Sequence, residues 1–119
     1  MKVRAIDFVY TNVKDVAKAK AFYRDVLGIQ DPILYEGDGW VEMDTKPVAF
    51  SLGAMPEGGP STAIALAVDD VKTAVEELRQ KGVKVLGDVM DTPVCEMATV
   101  LDPDGNPVFL HHRKDGTAG

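Results

Sequence analysis

From Ala5 to Val13 the chain mixes apolar and polar residues as a strand does, and then the period changes. Val16, Ala19, Phe22/Tyr23 and Val26 fall at three- and four-residue steps, the spacing that gives a helix one apolar stripe to lay on a sheet. Asp15 stands where a carboxylate can cap that helix, and Gly28 stands where a glycine can end it. The same order returns in the second half. Ala63 to Val68 reads as an apolar strand, Asp70 as the cap, VKTAVEELRQK as the helix with Val71, Ala74/Val75 and Leu78 on its stripe, and Gly82 as the stop.

Each helix is followed by three short strand candidates separated by turn residues. In the first half these are Ile33 to Glu36, Trp40 to Met43 after a Gly-Asp-Gly turn, and Val48 to Leu52. In the second they are Val83 to Leu86, Glu96 to Leu101, and Val108 to His112 after DPDGNP, whose Pro and Gly suit a tight reversal. The order is therefore βαβββ twice. Val13, Asp15, Val16, Ala19 and Arg24 recur as Val68, Asp70, Val71, Ala74 and Arg79, which makes the chain a tandem repeat. We expect one domain over residues 1–119, with module one at about 4–53, a linker at about 54–61 and module two at about 62–114.

Composition narrows the function. With 119 residues, 45% of them hydrophobic, the chain can bury one ordinary core. A net charge of −6 opposes binding to nucleic acid or to an anionic membrane, both of which need clustered Lys and Arg. No apolar run approaches the roughly 20 residues that cross a bilayer, so the expected compartment is the cytoplasm. A single cysteine, Cys95, leaves no intrachain disulfide framework.

Two βαβββ modules, a first helix containing AFYRDVLGI, a second reading VDDVKTAVEELRQKGVKV and a closing LDPDGNPVFL together resemble the vicinal oxygen chelate superfamily. That superfamily includes glyoxalase I, extradiol dioxygenases, fosfomycin-modifying enzymes and bleomycin-resistance proteins. The resemblance covers about residues 4 to 114. It implies an α+β fold in which a curved, partly closed mixed sheet surrounds a cavity, within a homodimer whose subunits share the sites. It also implies four metal-ligand positions, which fall here at Phe8, Ser51, Ala63 and Phe109. Phenyl and methyl groups have no lone pairs to offer a cation, so we expect no metal and no cofactor.

Apolar replacements favour holding an organic molecule over activating water, since each buried ring can contribute on the order of 150 Å². Strand alternation places Tyr10 and Asn12 on the face of Phe8, and His111 on the face of Phe109, while Trp40 and Glu42 share a face taken here as the inner one. The expected ligand-binding set is Phe8, Tyr10, Trp40, Glu42, Ser51, Phe109 and His111. The expected function is a small-molecule binder that sequesters an aromatic or cationic compound such as a drug, as bleomycin-resistance proteins do. The alternative is a glyoxalase- or dioxygenase-like enzyme using a relocated metal or His111 and Glu42 as an acid–base pair. A third reading is a closed, filled module serving a partner. Cys95 reads as a small buried apolar residue, with no basic group beside it in sequence to lower its pKa.

Overall fold

The computed structural model describes residues 1–55 and 61–119, so the expected linker at 54–61 lies largely outside the described residues. Its elements are β1 (Ala5–Asn12), α1 (Val16–Ala21) continuing into a π-helical turn (Phe22–Val26), β2 (Ile33–Gly37), β3 (Trp40–Met43) and β4 (Ala49–Gly53). The second half supplies β5 (Ser61–Ala67), α2 (Val71–Gln80), β6 (Val85–Asp91), β7 (Cys95–Leu101) and β8 (Pro107–Arg113). The fold is α+β, built from two βαβββ modules with mixed sheets.

Two compact units result. One is Phe8–Thr62; the other joins Met1–Asp7 to Ala63–Gly119. The boundary falls inside β1, where the sequence placed the start of module one at about residue 4. The reason is a set of bonds from the N-terminal segment to the second unit: Arg4 N donates to Ala67 O at 2.9 Å, and Asp7 is held by residues of β8.

In the first unit the strand order is β2-β3-β4-β1, with β1 parallel to β4 and the other pairs antiparallel. One face carries Val41, Met43 and Leu52 onto α1, where Val16, Ala19 and Tyr23 pack against them. Asp15 caps α1 by accepting from Lys18 N at 3.1 Å. The expected continuous helix is instead widened at its end, with Leu27 N bonding Phe22 O at 3.0 Å, one residue further back than an α-helix allows. The wider turn keeps Tyr23 on the core, edge-on to Phe50 with centroids 5.0 Å apart, and leaves Phe22 and Val26 exposed. Those two therefore leave the predicted stripe.

The second unit repeats the plan, with order β5-β8-β7-β6 and β5 parallel to β8. Asp70 caps α2 by accepting from Thr73 N at 3.0 Å, and Val71, Ala74 and Val75 bury themselves against Ala98, Val100 and Leu110. Strand β6 starts later and runs longer than Val83 to Leu86. A bulge between Leu86 and Met90, at Gly87 with φ +66°, carries the strand on to Asp91.

Candidate functional site

In the first unit, the face opposite α1 is paved by aromatic rings. Register sets them in rows, with Phe8 beside Ala49, Tyr10 beside Ser51, Ser51 beside Glu42, and Gly53 beside Trp40. Trp40 stacks on Tyr10 with centroids 4.9 Å apart and meets Phe8 edge-on at 5.8 Å. Gly53 makes this possible. A Cβ there would sit 2.7 Å from the Trp40 ring and 2.8 Å from the Tyr10 ring. The Tyr10 hydroxyl donates to Asn12 Oδ1 at 2.5 Å, and burial pushes its pKa up to about 12. Asn12 Oδ1 also accepts from Met55 N at 2.8 Å, so the row ends in a tied polar group.

The metal positions can be tested on this geometry. Phe8 is 2% exposed and offers only carbon; the Ser51 hydroxyl is fully buried and donates to Glu42 Oε1 at 3.1 Å. In the second unit, Ala63 and Phe109 are equally buried and equally without donors. Among the described residues, no group of three His, Cys, Asp or Glu side chains is gathered to hold a metal. The residues at these four positions do not fit a metal ion.

Of the sequence-predicted set, Phe8, Tyr10, Ser51, Phe109 and His111 are buried, whereas Trp40 and Glu42 are half-buried. Glu42 belongs to the first unit and bonds Ser51 there; the acid that holds His111 is another one. His111 Nδ1 lies 2.6 Å from Asp7 Oδ2. Asp7 is completely buried, and its other oxygen accepts from Gly119 N at 2.8 Å and from Arg113 Nη1 at 3.2 Å. Arg113 Nη2 donates in addition to the Asp7 carbonyl at 3.2 Å. Burial opposes ionisation of Asp7, but the His111 hydrogen bond, the Gly119 amide and Arg113 together hold its carboxyl below the usual range. Burial likewise pulls His111 down, and its bonds to Asp7 and Cys95 override this and raise it to about 9. At neutral pH the ring is an imidazolium.

Cys95 completes the cluster. On β7 it faces Arg113, while Met97 faces His111, so Cys95 and His111 are diagonal neighbours on one face of adjacent strands. The His111 hydrogen bond lowers the thiol pKa against the opposing effect of burial, and Thr92 and Lys114 add to the lowering. Cys95 is partly exposed, not the small buried apolar residue expected, and the missing basic neighbour comes from β8. Asp7 was missed altogether. The available signal was an acid between Ile6 and Phe8 in a strand otherwise poor in charge.

A groove of about 530 Å³ also opens in the first unit between α1 and the β2–β3 hairpin, lined among others by Lys20, Arg24, Asp25, Glu36 and Trp40.

The model of the Glyoxalase/Bleomycin resistance protein/Dioxygenase superfamily matches residues 5–110. The chain belongs to this superfamily. Solved structures share its fold. A methylmalonyl-CoA epimerase of Streptomyces coelicolor superposes with a TM-score of 0.71 at 19% identity, covering 99% of this chain and 100% of that one. A superfamily member from Vibrio splendidus gives 0.64 at 18% identity, covering 93% and 99%. The Mn(II)-bound glyoxalase of Novosphingobium aromaticivorans gives 0.66 at 25% identity, with 99% of this chain matching 41% of that longer one. No curated protein sequence matches.

Proposed function

We propose that this chain is a metal-independent member of the superfamily that takes up a small organic molecule. The observation that carries this is the chemistry of the superfamily's ligand positions: Phe8, Ala63 and Phe109 present hydrocarbon, and the Ser51 hydroxyl is committed to Glu42. The ligand-facing groups of the first unit are Trp40 and Glu42, a π surface and a countercharge, backed by Tyr10 and Phe8. Such a pair suits a planar or cationic guest. Purified protein treated with chelator is screened by thermal shift against aromatic and cationic compounds. A ligand bound only by the native state stabilises it by about 2.7 kcal/mol at a hundred times its dissociation constant. A shift that Trp40→Ala abolishes and chelator leaves unchanged supports the reading; a shift that needs added metal overturns it.

A second reading, an acid–base enzyme, is favoured by the buried Asp7–His111 pair. The fold is shared with an epimerase and a glyoxalase, and perturbed titrating groups gather at sites of chemistry. At neutral pH His111 acts as a proton donor. Exchange of carbon-bound hydrogen in D₂O, followed by NMR on small carbonyl compounds, tests it: exchange by the chelated protein that His111→Gln removes supports catalysis, and equal exchange by the variant rules it out.

A further inference from the structure

We propose that Cys95, His111 and Asp7 form a thiol–imidazole–carboxylate site in which Cys95 is a nucleophile toward small, soft electrophiles such as α,β-unsaturated carbonyl compounds. The site lies within the second unit and draws on the Asp7–His111 pair, independently of any ligand bound at Trp40.

The geometry has the three parts that nucleophilic catalysis needs: a nucleophile, a proton carrier beside it, and a group that orients the carrier. The nucleophile is positioned by a tight turn. Thr92 N donates to Cys95 O at 2.9 Å, Cys95 N donates to Thr92 Oγ1 at 3.0 Å, and that same oxygen lies 3.5 Å from Sγ. The carrier, His111, is held at 2.6 Å by an acid that four contacts immobilise: His111 itself, Gly119 N and two Arg113 nitrogens. Fixing the ring through one nitrogen leaves the imidazole in a single orientation, as a proton carrier requires.

Charge around the thiol favours the thiolate. His111 and Arg113 face it from β8, and Lys114 adds a further positive charge. The nearby acids are paired elsewhere: Asp91 with Lys114 and Lys72, Glu96 with Lys72, and Asp7 with His111 and Arg113. Asp7 is completely buried and His111 is 6% exposed, while Cys95 is only half-buried, so the orienting groups are kept dry and the reactive residue is partly open to solvent. In such a setting the thiolate is favoured beside the imidazolium, and the cysteine reacts below the pH at which free cysteine does.

The step balances without a co-reactant. The resting pair is a Cys95 thiolate beside the His111 imidazolium, and the sulfur forms a bond to the β-carbon of the unsaturated carbonyl. The alkene π pair moves onto the α-carbon as an enolate, and the imidazolium returns its proton there. The product is a thioether with a neutral His111, and the reverse path regenerates both partners.

Cys95 is the sole cysteine, so one mass shift reports the reaction. The full chain is reacted with N-ethylmaleimide and, separately, iodoacetamide across the pH range, and adduct formation is followed by mass spectrometry. We expect a single adduct whose rate persists near pH 6 and whose pH midpoint lies below the ordinary thiol value of about 8.5. His111→Gln and Asp7→Asn are expected to raise the midpoint and slow the reaction near pH 6 about tenfold or more, with Asp7→Glu recovering part of the loss. Should either variant fail to fold by circular dichroism, wild-type protein in concentrated urea serves as the reference, because unfolding separates Cys95 from His111. A native rate near pH 6 no faster than the unfolded rate overturns the proposal. So does a midpoint that folded His111→Gln leaves in place. A null result in the compound screen concerns Trp40 and does not alter this rate.

Discussion

The buried Asp7–His111 pair makes a specific demand on how stability varies with pH. His111 has a folded pKa of about 9 against an ordinary 6.5, a difference of about 2.5 pH units, and each unit corresponds to 1.36 kcal/mol. A raised pKa means the folded chain holds a proton that the unfolded chain releases. The stabilisation is complete below about pH 6.5 and disappears as pH rises to about 9, and its upper limit is about 3 kcal/mol. Cys95 titrates in the same window with the opposite sign: its lowered pKa lets the folded state carry a thiolate where the unfolded state still holds a proton. The measurement therefore belongs in Cys95→Ser, where the His111 contribution is reduced by whatever the thiolate supplied and the Asp7 bond remains. Urea unfolding at fixed pH values between 6 and 9.5, extrapolated linearly, should show stability falling across the window. In Cys95→Ser/Asp7→Asn the slope should vanish and stability at neutral pH should drop by roughly 3 kcal/mol or more, because removing one partner leaves the buried His111 and the half-buried Arg113 without their countercharge. A flat or rising profile in Cys95→Ser would show that His111 is not held as an imidazolium, and the account of this site would fail.

Three further outcomes follow from the same structure. Gly53→Ala forces a methyl to within 2.7 Å of the Trp40 ring, so it should cost about 1–3 kcal/mol in urea unfolding and alter the near-ultraviolet circular dichroism of the single tryptophan. Phe109→Glu places a carboxylate where the resemblance implies a ligand but buries it at a place that is 3% exposed; it should destabilise by several kcal/mol without acquiring stoichiometric metal in elemental analysis. Asp70→Ala removes the bond to Thr73 N at the start of α2 and should cost about 1 kcal/mol, read as a lowered unfolding midpoint with an unchanged fold.

Neighbouring residues alone fix the local and periodic features. Strand alternation, the helical stripes over Val16–Ala19 and Val71–Leu78, the caps Asp15 and Asp70 and the repeat of both are properties of neighbouring residues, and each sets an element without reference to the rest of the chain. The absence of lone pairs at Phe8, Ala63 and Phe109 was equally plain, because it depends only on residue type. Which acid serves His111 was decided by the tertiary structure. Asp7 is 104 residues away from it, Cys95 is brought beside it by the register of β7 on β8, and Glu42, the acid the strand pattern suggested, is occupied by Ser51 in the other unit. The widening of α1 at Phe22 and the need for glycine at position 53 likewise depend on what packs against them. Periodicity tells which face a side chain takes within its own element; the partner it meets there depends on strand register and long-range packing, which adjacent residues do not encode.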